Sequence, residues 1–61
     1  MKGIIMRLLI NASNGDVDVN VISHLDHFIV QVIDIDTSEF IEIKKFPTLS
    51  EARQHAFRFI V

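Results

Sequence analysis

At 61 residues the chain has room for one domain, 1–61, and a domain of that size buries only about 60% of the surface its unfolded chain exposes. It contains no Cys, which excludes disulfides and thiolate metal sites. Its 49% hydrophobic content and mean hydropathy of +0.35 exclude a disordered tail. Folds below roughly 70–80 residues usually add disulfides, a metal or oligomerisation, so burial of apolar surface between subunits is the expectation here.

Net charge is −2 and unevenly spread. Between Asn14 and Ile43 there are seven carboxylates and no Lys or Arg, whereas Lys44, Lys45, Arg53 and Arg58 follow with only Glu51 against them. An acidic sheet region and a mildly basic C-terminal end are therefore expected. No apolar run approaches the ~20 residues of a membrane-spanning helix.

The chain opens with MKGIIMRLLINAS, which has the outline of a signal peptide. Arg7 interrupts its apolar run, and cleavage would leave too little chain for a domain, so secretion is not expected. Met6 is an alternative start. Residues 3–13 fit two elements. As a strand they form a hairpin through Asn14-Gly15, pairing Ala12 with Val17, Ile10 with Val19 and Leu8 with Val21. As a helix they place Ile4, Ile5, Leu8, Leu9 and Ala12 on one face, with Gly15 as the C-cap.

Residues 17–22 (VDVNVI) alternate, Val17, Val19 and Val21 on one side, and read as a strand. The short polar link SHLD suits a hairpin into HFIVQVIDID (27–36). That segment is β-branched and aromatic, with Phe28, Val30 and Val32 on one face and Ile29, Gln31, Ile33 and Ile35 on the other. Two apolar faces mark a central strand covered on both sides. DTSE forms a turn, and FIEIKK (40–45) alternates again as the next strand.

Thr48 and Glu51 then make an S/T-x-x-E capping box, with Pro47 just outside it. At ~100° per residue, Leu49, Ala52, Ala56, Phe57, Phe59 and Ile60 fall on one arc of a helix running almost to the C-terminus. Glu51, Gln54, His55 and Arg58 lie opposite, towards solvent. Arg53 falls inside the apolar arc, so it is expected to meet a carboxylate, either Glu42 or an Asp of another subunit.

Few constellations carry chemistry. His24, Asp26 and His27 resemble part of the H-x-H-x-D-H motif of metallo-β-lactamase-fold hydrolases, but the first His position is Ile22 and that fold needs several times this length. As an isolated metal site the trio must be gathered by a turn, since in an extended strand His24 and Asp26 share a face while His27 points away; a polar hairpin loop is the plainer reading, and weak binding of nickel or zinc is the most it promises. DIDTSE begins like a calcium loop, yet Glu39 and Lys45 stand where Gly and Glu are required. The serines fall at turns or a helix start, and Gly3 and Gly15 cannot form a phosphate loop. An enzyme is not expected, nor any cofactor. A basic face of Lys44, Lys45, Arg53 and Arg58 offers a nucleic-acid alternative. The net charge and the absence of Tyr and Trp for base stacking count against it.

From VDVNVISHLDHFIVQVID through KKFPTLSEARQHAF the chain resembles small uncharacterised bacterial proteins carrying a domain of unknown function. Their pattern is two strands joined by a short turn, then F-x-[ST]-L-x-E-A-[RK] leading into a closing helix. The resemblance implies no activity, and in such relatives the first segment is sometimes helical.

The expected architecture is α+β: an antiparallel sheet of three or four strands, the C-terminal helix packed on one face, and the other face buried in a homodimer. The expected function is a non-catalytic bacterial accessory or protein-interaction module in the cytoplasm.

Overall fold

The structure is a computed structural model and describes residues 6–60. Four strands, β1 (Met6–Ser13), β2 (Val17–His24), β3 (His27–Asp34) and β4 (Phe40–Phe46), precede one helix, α1 (Leu49–Phe57). The strands pair antiparallel in the order β1-β2-β3-β4, each joined to the next by a hairpin. Residues 6–13 are thus a strand; residues 3–5 lie outside the described residues.

The first hairpin turns one residue later than Asn14-Gly15 suggests. Gly15 and Asp16 are its central residues, and Asn14 N–H donates to Val17 O at 3.2 Å. Gly15 has φ +96°, the left-handed value that glycine alone adopts freely. Moving a turn by one residue moves every pairing by two, so Ala12 faces Val19 and Ile10 faces Val21, where Val17 and Val19 were expected. Because side chains alternate, a shift of two leaves both residues on their original face. An extra residue, Leu9, then bulges out, and beyond it Leu8 faces Ile22 and points to the other side. Ile41 is the corresponding extra residue in β4.

Residues directly opposite in neighbouring strands share a face. One face carries Ile10 and Ala12, Val17, Val19 and Val21, Phe28, Val30 and Val32, and Glu42, Lys44 and Phe46. The helix covers it. Thr48 Oγ1 accepts the Glu51 N–H at 3.2 Å, fixing the helix start as the capping residues predict. Val19, Val21, Val30, Val32, Ala52 and Ala56 are the fully buried core, ringed by Ile10, Val17, Phe28, Phe46, Phe59 and Ile60. Two alanines at the line of contact let the helix lie close on a layer of valines.

That close approach turns the helix away from the expected arc. Leu49 and Phe57 are exposed, while His55 turns inwards beside Ala52 and Ala56. After the helix, Asn14 Nδ2 donates to Phe59 O at 2.9 Å, tying the end of the helical segment to the first hairpin.

Candidate functional site

The second face of the sheet carries no helix. Reading across β1 to β4, its successive rows are Met6, His24 and His27; then Leu8, Ile22, Ile29 and Lys45; then Asn11, Asn20, Gln31 and Ile43; then Ser13, Asp18, Ile33 and Phe40. Met6, Leu8, Phe40 and Ile43 are each more than half exposed, and Ile22, Ile29 and Ile33 are half-buried. The expectation that β3 is covered on both sides therefore holds for one face of the isolated chain. The amide row is locally tied: Asn11 Nδ2 donates to Asn20 Oδ1 at 2.6 Å and to Asp18 Oδ1 at 3.0 Å.

His24 and His27 sit at one end of this face, directly opposite each other, with ring centroids 5.2 Å apart and nearly perpendicular. Asp26 is at the tip of the turn, and His27 Nδ1–H donates to its Oδ1 at 3.3 Å. The turn brings the two imidazoles together and leaves Asp26 as an orienting partner of one of them. Among the described residues no group of three His, Cys, Asp or Glu side chains converges on a common point. Of the trio, the two imidazoles are the side chains the turn sets opposite each other.

The basic residues do not form one surface. Lys44 lies on the helix-covered side of β4, with Nζ 5.6 Å from the Phe46 ring centroid. It shares a shallow hollow of about 390 Å³ with Arg58, Phe46, Glu51, Gln54 and His55. Lys45 points to the uncovered face opposite Ile29, and Arg53 is exposed on the helix away from that hollow.

The expected partnership of Arg53 and Glu42 is not made. Glu42 Oε1 accepts instead from His55 Nε2–H at 2.6 Å. Helical angle puts His55 on the wet side of the helix, but it packs between Phe46 and Phe59 at centroid distances of 5.0 and 5.4 Å. The available clue was the spacing of Glu42, Lys44 and Phe46 on one face of β4. That face had to meet the helix flank, and a flank carrying His55 supplies both an aromatic body and a donor.

No protein-family model, curated protein or solved structure matches the chain. Among the described residues no helix is long and apolar enough to cross a membrane.

Proposed function

We propose that this chain is a non-catalytic accessory or protein-interaction module of the bacterial cytoplasm, free of cofactor and working as a homodimer built on the uncovered sheet face. The bacterial setting follows the resemblance noted above, and the cytoplasmic one is part of the proposal. One observation carries the dimer. The fully buried side chains among the described residues are all Val or Ala, while Leu8, Ile22, Ile29, Ile33, Phe40 and Ile43 line the uncovered face. A monomer would thus leave these six larger apolar side chains facing water, where a contiguous patch marks an interaction site. The nucleic-acid alternative has weaker support, because its four cations are divided between two sides of the molecule and offer a phosphate backbone no continuous track.

Sedimentation equilibrium over a wide concentration range tests this reading, with interference optics because the chain has no Trp or Tyr. A dimer is expected down to micromolar concentrations. A monomer throughout the range would overturn it.

A further inference from the structure

A homodimer with two-fold symmetry uses the same patch twice, so the patch must complement itself. The uncovered face does so about one line: the gap between β2 and β3. On either side of it stand Ile22 and Ile29, Asn20 and Gln31, and His24 and His27. The two central strands thus present aliphatic opposite aliphatic, amide opposite amide and imidazole opposite imidazole.

We infer that two copies stack face to face about a two-fold axis lying along that gap, parallel to the strands; this rests on the homodimer proposed above. Rotation about such an axis lays β2 of one copy on β3 of the other. Ile22 then meets Ile29 of the second copy, Asn20 meets its Gln31, and His24 meets its His27. The two central amides, Asn20 and Gln31, gain partners across the interface and favour this alignment, since sliding the sheets would bury them against isoleucine, while at the edge Asn11 meets Ile43 and keeps its bonds to Asn20 and Asp18. Asp18 meets Ile33 at the end of the contact, where Asn11 holds its carboxylate at 3.0 Å.

Turning the axis across the strands is less favourable. It lays Ile22 on Asp18 and Lys45 on Phe40 while setting like positions 20 and 31 on themselves. Twisted sheets stacked face to face keep their strands within about 30° of each other, so the central strands make the closest contact and the corners splay. Lys45 and Leu8, which the strand-parallel axis brings together, lie at such corners, where a lysine extends to water. The size is adequate. A face four strands wide and eight residues long, at about 4.8 Å per strand and about 3.3 Å per residue, measures about 500 Å² per copy. With the whole face covered the pair buries at most about 1,000 Å², at the lower bound for a specific interface.

The edges of the sheet argue for the face. Both edge strands carry a bulge, at Leu9 and at Ile41, and β4 adds Lys44 and Lys45. Bulges and lysines are the features by which sheets resist pairing edge to edge.

Chain mixing tests the axis. Asn20→Lys, Asn20→Glu and Gln31→Glu are prepared separately, checked for native far-UV circular dichroism, mixed in pairs and weighed by native mass spectrometry. The Asn20→Lys and Gln31→Glu chains are expected to prefer each other over themselves by about tenfold, because each lysine meets a glutamate of the other copy. A stronger preference of Asn20→Lys for Asn20→Glu than for Gln31→Glu would overturn this axis and leave the homodimer standing. A dimeric wild type whose variants show no preference at all would place the interface elsewhere and overturn the axis too. A wild type that stays monomeric would remove both the axis and the dimer beneath it.

Discussion

His55 and Arg53 are two residues apart on one helix, and packing separates their roles. The His55 ring lies against Phe46 and Phe59 with its Nε2–H on Glu42 at 2.6 Å, and its side chain is only 14% exposed. Arg53 is exposed, and among the described residues no carboxylate is paired with it. His55→Ala removes a hydrogen bond to a carboxylate together with ring packing. Glu42 is 36% exposed and regains water, so the loss should be about 1.5 kcal/mol of unfolding free energy. Arg53→Ala should change it by less than about 0.5 kcal/mol. Urea unfolding followed by circular dichroism, at one fixed protein concentration, checks both; equal losses would mean that Arg53 has a contact of its own. Helical angle alone ranks the two residues the other way. The buried arc of a helix is set by the residues that permit closest approach, here Ala52 and Ala56, and not by the mean direction of all its apolar side chains.

Turns and bulges set the geometry of the elements. In the β2–β3 hairpin the two central residues are Leu25 and Asp26, and Leu25 holds φ 57° while 75% exposed. A leucine in that region costs about 1 kcal/mol, and burial returns nothing to it. Leu25→Gly should therefore raise stability by about 0.5 kcal/mol, less than the full strain because glycine also widens the unfolded ensemble. The first hairpin gives the opposite sign. At Gly15 an added Cβ meets nothing within 4 Å, so Gly15→Ala carries backbone strain alone and should lower stability by about 1 kcal/mol. Thermal unfolding of the two variants decides the matter, and a shift in the same direction for both would refute it. The strands themselves were legible: the alternation in 17–22 and 40–45 and the β-branched run of 27–36 announce them. Helix and strand compete over residues 6–13 because Leu8 and Ala12 suit both periods. Only pairing with Val19, Val21 and Ile22 decides, and pairing is not a local property. The bulges at Leu9 and Ile41 are invisible for the same reason, since each is a mismatch between two strands.

At the scale of the whole molecule, a sheet with one helix has one more apolar face than it can cover. Among the described residues six fully buried side chains, none larger than valine, make a thin core, and a fold this small is marginal without further burial. If the second face is covered by a second copy, folding and association are a single equilibrium and stability depends on concentration. A hundredfold dilution then weakens the dimer by about 2.7 kcal/mol. Spread over an unfolding entropy of about 2.1 cal/mol/K per residue in two chains, that lowers Tm by about 10 °C. Ile29→Lys places a cation on a central strand of the uncovered face, away from the valine core. It should abolish this concentration dependence and lower Tm at high concentration while leaving the far-UV spectrum of the sheet in place. A wild-type Tm that does not move on dilution would mean that the chain folds alone, with Ile22, Ile29 and Ile33 in contact with water.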